Sequence, residues 1–121
     1  MFKILYMEDN GANLRFMQKA LKLRDNLELL CAETAVKGIE LAQTEQPDLI
    51  LLDIQLPELD GYAVFKRLRE NALTKNIPVI AVSANAMAQD IHQATQMGFD
   101  GYITKPVNLE LLFNTIDSIL K

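Results

Sequence analysis

Cysteine is almost absent. Cys31 is the single one in the chain, so no disulfide can close within it, and its place in an apolar run reads as a small buried hydrophobe. No apolar stretch approaches the roughly 18 residues that cross a bilayer. No basic-then-apolar leader opens the sequence either, so a cytoplasmic protein is expected. Positive charge is scarce: 12 Lys and Arg stand against 16 Asp and Glu, a net charge of −4 with a sequence pI near 4.9. That balance disfavours gripping nucleic acid or an anionic membrane through bulk charge. Repeats, low-complexity tracts and long linkers are missing. So is any Gly-x-x-x-x-Gly-Lys-Ser/Thr run, which excludes a nucleotide P-loop. A flavin-type phosphate loop after the first strand would want Ser, Thr or Gly, and Glu8 and Asp9 stand there instead.

What remains is ample for one core. Half of the 121 residues are hydrophobic, and that length fits a single domain spanning residues 1–121. The chain is organised around Asp48-Leu-Ile-Leu-Leu-Asp-Ile-Gln-Leu-Pro-Glu-Leu-Asp-Gly61. A short apolar run, Leu49 to Leu52, enters Asp53 and then a turn. Such brevity, with Pro47 and Pro57 on either side, favours a strand buried on both faces over a buried helix. Taken in order, Phe2–Met7 reads as a first strand, followed by a helix stripe at Leu14, Met17 and Leu21 that Asn10 can cap. A second strand is expected at Leu27–Ala32. Ala35, Ile39 and Ala42 mark a second helix that stops before Pro47. Phe65 and Leu68 face inward from a third helix after Gly61. Ile77–Ser83 reads as a fourth strand, and Met87, Ile91 and Ala94 mark a fourth helix with Gly98 as its C-terminal cap. Phe99–Thr104 reads as a fifth strand. A last helix carries Leu109, Leu112, Phe113, Ile116 and Leu120, capped by Asn108 and running to the final residue. Five strands alternating with five helices call for a parallel sheet covered on both faces, an α/β fold with right-handed crossovers.

The carboxyl ends of those strands carry a chemically coherent set. Glu8 and Asp9 follow the first, Asp53 ends the third, Ser83 the fourth, and Lys105 follows the fifth. A doubly wound sheet brings such ends to one edge. Clustered carboxylates stay ionised cheaply only around a cation, and an all-oxygen set selects a hard one, Mg²⁺ above all. A carboxylate there can attack phosphorus to give an acyl phosphate, with a lysine and a hydroxyl on the remaining oxygens.

With these residues in hand, the chain resembles the receiver domain of two-component response regulators from Lys3 to Leu120. The resemblance rests on Glu8-Asp9, on Asp53 with Pro57 and Asp60-Gly61, on Ser83-Ala84 and on Lys105-Pro106. It implies a single (βα)5 doubly wound sheet of flavodoxin-like strand order 2-1-3-4-5. It also implies a phosphoacceptor switch in which Asp53 accepts the phosphoryl group. Mg²⁺ would be held by Asp9, Asp53 and the Gln55 carbonyl, with Glu8 acting through water. Ser83 would donate to the phosphoryl group, Lys105 would pair with it, and Tyr102 would swing inward as Ser83 moves. The Lys105-Pro106 bond would be cis. The phosphodonor would be a histidine kinase or histidine phosphotransfer protein, and the response would appear on the face of the fourth helix, fifth strand and fifth helix. The domain would be a monomer or a weak, phosphorylation-dependent dimer, no enzyme beyond its own phosphorylation and dephosphorylation, and no output domain is expected. Glu8-Asp9-Asn10 with Asn13, and Ser83-Ala-Asn-Ala-Met87, look most like receivers of hybrid histidine kinases. Asp53-Ile-Gln-Leu-Pro57 is also similar to single-domain cell-cycle regulators. Gln55 and Asn85 occupy the positions that tune phosphoryl lifetime in this family.

Plainer readings exist for each residue alone. Asp53 can simply begin a turn, Glu8 and Asp9 can favour a helix start through its dipole, Ser83 can cap a helix, and Tyr102 can be a packing ring. Each would then have to reach the same sheet edge by accident. His92, the only histidine, reads as solvated, and the methionines as core filler. An aspartyl-nucleophile phosphatase is the competing enzyme class. It would need a second aspartate two residues beyond the first, where Gln55 stands. A pseudo-receiver acting only as an interaction module is the other alternative.

Overall fold

The computed structural model describes residues 1–57, 59–85 and 87–120; Glu58, Ala86 and Lys121, which fall within runs quoted above, lie outside the described residues. Five strands alternate with five helices among the described residues: β1 (Phe2–Met7), α1 (Gly11–Leu21), β2 (Leu27–Ala32), α2 (Ala35–Glu45), β3 (Leu49–Asp53), α3 (Gly61–Glu70), β4 (Val79–Ser83), α4 (Ala88–Met97), β5 (Gly101–Thr104) and α5 (Leu109–Ile119). All strand pairs are parallel, in the order β2-β1-β3-β4-β5. The sheet is therefore the doubly wound one expected, with β1 and β3 side by side at its centre. Every residue of β3 and β4 is buried, as uninterrupted apolar strands between two helical layers require.

Strand alternation sorts the core into two halves. Ile4 and Tyr6 of β1, Leu49 and Leu51 of β3, Ile80 and Val82 of β4 and Ile103 of β5 pack with Leu14, Met17 and Leu21 of α1 and Leu112 and Ile116 of α5. The intervening residues, Leu5, Met7, Ile50, Leu52, Val79 and Ala81, pack with α2, α3 and Ala94 of α4. Carried one step past the strands, the same alternation puts Glu8, Asp53 and Lys105 on the α1/α5 side. It puts Ser83 and Tyr102 on the other.

The expected caps form: Asn10 and Asn108 accept from the N–H groups of Asn13 and Leu111 at 3.0 Å each, and Gly98 adopts a left-handed φ of 107° after α4. Several details differ from expectation. β4 begins at Val79, because Pro78 offers no N–H to the ladder and Ile77 bonds back to Thr74. β5 begins at Gly101, because the N–H groups of Gly98 and Phe99 close the end of α4 on Thr95 and Ala94. Met87 stands before α4 in extended backbone and is 62% exposed, and Ile91 is 36% exposed, so Ala94 alone of that stripe is buried. The reason is the start at Ala88, which takes Met87 out of helical phase with Ala94. Met7 and Met17 do fill the core, whereas Met1, Met87 and Met97 are exposed. Cys31 is half-buried, not buried: it lies on the edge strand β2, where its Sγ accepts from Gln18 Nε2 at 3.9 Å. α5 ends at Ile119 with Leu120 as its cap residue. No helix among the described residues is long and apolar enough to cross a membrane.

Candidate functional site

The parallel register delivers three acids to one point. Ligand oxygens of Glu8, Asp9 and Asp53 all lie within 4.8 Å of one another. Glu8 and Asp53 are 1% and 2% exposed, while Asp9 lies open to solvent at the mouth. Lys105 comes from the far side of the sheet edge and bridges the two buried acids, its Nζ 2.8 Å from Glu8 Oε1 and 3.2 Å from Asp53 Oδ2. The Lys105-Pro106 peptide bond is cis.

Two carboxylates this close cannot ionise independently. Burial, reinforced by the adjacent Glu8, pushes Asp53 up from 3.8 to about 6, against the pull of the Gln55 N–H and of Lys105. Burial presses on Glu8 in the same sense. The adjoining Asp53 carboxyl, Lys105 and the Tyr6 hydroxyl outweigh that pressure and hold Glu8 well below the usual carboxylate range. Burial disfavours the Lys105 ammonium, but the two acids more than compensate and raise its pKa.

Asp53 is aimed by its own turn, since the N–H of Gln55 donates to Oδ1 at 2.9 Å while the Gln55 side chain faces solvent. Gly61 permits the tight packing behind it: a Cβ there would sit 2.5 Å from Ile54 Cα and 3.1 Å from Asp53 O. Ser83 is fully buried, and its Oγ accepts from the N–H of Asn85 at 3.0 Å. Among the described residues it makes no hydrogen bond to Asp53. Tyr102 is half-buried, packs against the α2/α3 side, and donates its hydroxyl to the Asn85 carbonyl at 2.8 Å. Glu8, Asp9, Asp53 and Lys105 thus form one cluster, and Ser83 and Tyr102 meet at Asn85 beside it. His92 is exposed, midway along α4.

Two further side chains, neither singled out by its sequence pattern, complete the cluster. The Tyr6 hydroxyl donates to Glu8 Oε1 at 2.9 Å, and Asn13 Nδ2 donates to the same oxygen at 3.1 Å. Hydropathy alone places Tyr6 in the apolar first strand. Its i, i+2 spacing from Glu8 is the available signal, because that spacing puts both on one face of β1. Asn13 lies within the first turn of α1, directly above the same edge.

Chemically, three carboxylates form an all-oxygen donor set suited to a hard divalent cation. Three carboxylates face a single ammonium, so Lys105 alone leaves the cluster short of positive charge. Mg²⁺ therefore fits these residues.

A five-stranded parallel sheet in 2-1-3-4-5 order, with acids and one lysine converging at its carboxyl edge, defines a doubly wound α/β domain with a polar site at its strand ends. The chain belongs to the response regulator receiver domain family, whose profile matches residues 4–117. It is 36% identical over 117 residues to the polar-differentiation response regulator DivK of Brucella ovis, covering 97% of this chain and 94% of DivK. The receiver domain of a sensor histidine kinase from Pseudomonas aeruginosa PAO1, solved with a magnesium ion coordinated in its active-site cleft, superposes with a TM-score of 0.88 at 27% identity, covering 98% of this chain and 97% of that one. A response regulator from Desulfuromonas acetoxidans superposes with a TM-score of 0.89 at 28% identity, covering 99% and 97%.

Proposed function

We propose that this receiver domain is a phosphoacceptor switch that takes a phosphoryl group from the phosphohistidine of a histidine kinase or phosphotransfer protein onto Asp53. The observation that carries the reading is the cluster itself: three acids with oxygens within 4.8 Å and one lysine bridging the two buried ones.

Asp9, Asp53 and the Gln55 carbonyl would hold Mg²⁺, with Glu8 reached through water. When bound, the ion offsets the charge on Asp53 and on the transferring phosphoryl oxygens. An Asp53 carboxylate oxygen bonds to phosphorus as the P–N bond to the donor imidazole breaks. The electron pair leaves with the ring nitrogen, which regains a proton. The Gln55 N–H keeps the carboxylate oriented during attack, Lys105 is near enough to follow the new negative charge, and the Ser83 hydroxyl supplies a donor from the other side of the sheet. The domain turns over no other substrate: Gln55 occupies the place where an aspartyl phosphatase needs its second acid.

Output is read on the α4-β5-α5 face. Asn85 ties Ser83 to Tyr102 through its N–H and C=O, so movement of Ser83 toward a phosphoryl group strains both bonds. α4 has Ala94 as its one buried residue, which makes it a loosely held element whose position a modest bias can shift. On this reading the chain works in the cytoplasm as a monomer or weak dimer.

The test is beryllofluoride with Mg²⁺, which stands in for the acyl phosphate. Amide shifts are expected around Asp53, Ser83 and Tyr102, and are expected to vanish in Asp53→Ala. Their absence in the wild type, or their survival in the variant, refutes the mechanism.

A further inference from the structure

The two oxygens of Glu8 live in unequal surroundings. Oε1 receives the Tyr6 hydroxyl at 2.9 Å, Asn13 Nδ2 at 3.1 Å and Lys105 Nζ at 2.8 Å. Among the described residues Oε2 receives a single long bond, from the Asn10 N–H at 3.3 Å. A carboxylate oxygen has about two good acceptor directions, so Oε1 is saturated by protein donors and Oε2 is the oxygen left for an outside partner. One of the three donors is not permanent. Lys105 also lies 3.2 Å from Asp53 Oδ2, and a phosphoryl group on Asp53 presents new anionic oxygens that compete for its ammonium. A buried Glu8 deprived of that cation needs its remaining donors to keep its orientation.

We propose that Tyr6, seconded by Asn13, is a positioning residue that fixes Glu8 Oε1, so that Oε2 stays turned to the ion site while Lys105 is drawn to the phosphoryl group. Tyr6 suits the task. Its ring is fully buried among Ile4, Leu14 and Met17 on the α1/α5 side, which locks the hydroxyl in place. Its two-residue offset from Glu8 makes the contact intrinsic to the strand. Removing the hydroxyl as Tyr6→Phe leaves that apolar packing intact and deletes one donor. The arrangement acts on the ion only through Glu8, and in its effect resembles the partners that orient metal-bound side chains elsewhere.

This inference rests on the Mg²⁺ reading above, and the experiment separates the two. Mg²⁺ affinity of the full chain is measured by calorimetry and by amide shifts for the wild type, Tyr6→Phe, Glu8→Gln and the double variant, with urea midpoints recorded alongside. The expected result is a roughly 10-fold weaker Mg²⁺ affinity in Tyr6→Phe, the low end for a partner that orients a metal-site side chain, a larger loss for beryllofluoride in the presence of Mg²⁺, and no further effect of Tyr6→Phe once Glu8 is Gln. A purely structural tyrosine would shift the urea midpoint and lower affinity equally in both backgrounds, and that outcome overturns the proposal. Unchanged affinity in Tyr6→Phe overturns it as well. Wild-type protein that binds no Mg²⁺ in an Asp53-dependent way overturns the functional reading itself. Should Tyr6→Phe fold poorly, Asn13→Ala carries the same cycle from the helix side, with a smaller loss expected because Asn13 is only partly buried; no loss there decides against the clamp.

Discussion

Asp53→Asn is expected to stabilise the metal-free protein. The carboxyl is 2% exposed and raised from 3.8 to about 6, so the folded state holds its proton more tightly than the unfolded chain does. The sign follows: the protonated carboxyl's contribution is fully present below pH 4, is lost as pH rises through about 6, and above that pH the ionised group costs the fold. A rise of this size corresponds to about 3 kcal/mol at neutral pH. Because Glu8 and Lys105 relax around the site, a measured gain of about 1–3 kcal/mol is expected, each kcal/mol being worth a few degrees in Tm for a domain of this size. The assay is urea unfolding of wild type and Asp53→Asn from pH 4 to 8 in EDTA, then with Mg²⁺. The gap between the two should be near zero at pH 4, open through pH 4–6 and level off above 6. Mg²⁺ should then close it, since the ion binds the wild-type fold more tightly and stabilises it by mass action. A gap that is already open at pH 4, or one that Mg²⁺ widens, refutes the reasoning.

Lys105→Met removes the cation that bridges Glu8 and Asp53; a loss on the order of 2 kcal/mol is expected at pH 7 in EDTA, much of it recovered by Mg²⁺, as urea midpoints will show. Ser83→Ala should leave Mg²⁺ affinity within about twofold, because its hydroxyl stands apart from the acid cluster, while beryllofluoride binding falls about tenfold or more, a single lost charge-assisted hydrogen bond; titration followed by amide shifts separates the two. Gly61→Ala drives a Cβ to 2.5 Å from Ile54 Cα, so about 1–3 kcal/mol of stability should be lost to overpacking. Mg²⁺ affinity should fall with it because the turn carrying Asp53 must move, and thermal melts with and without the ion test both.

Much of this was legible in the residues because the information is periodic. The brevity of Leu49–Leu52 and its flanking prolines favour a strand buried on both faces, and that places Asp53 at the sheet edge. Alternation along β1, β3 and β5 then accounts for Glu8, Asp53 and Lys105 converging on the α1/α5 side. The failures have a common cause in phase and boundary. Met87 can join the stripe of Ala94 only if the helix includes it, and α4 begins one residue later. Phe99 is apolar enough for a strand, yet its N–H closes α4 and its ring stacks on Phe65 at 4.0 Å. Tyr6 shows the limit most clearly. Its ring obeys the core pattern, so hydropathy hides a hydroxyl whose partner is two residues away.

The bond from the Asn85 N–H to Ser83 Oγ takes up one acceptor position of that oxygen, and among the described residues the hydroxyl proton meets no acceptor. Hydrogen bonds in series polarise one another in a low-dielectric interior. A phosphoryl oxygen taking the Ser83 proton would therefore terminate a relay that begins at a main-chain amide, and threonine could serve in that relay where alanine breaks it.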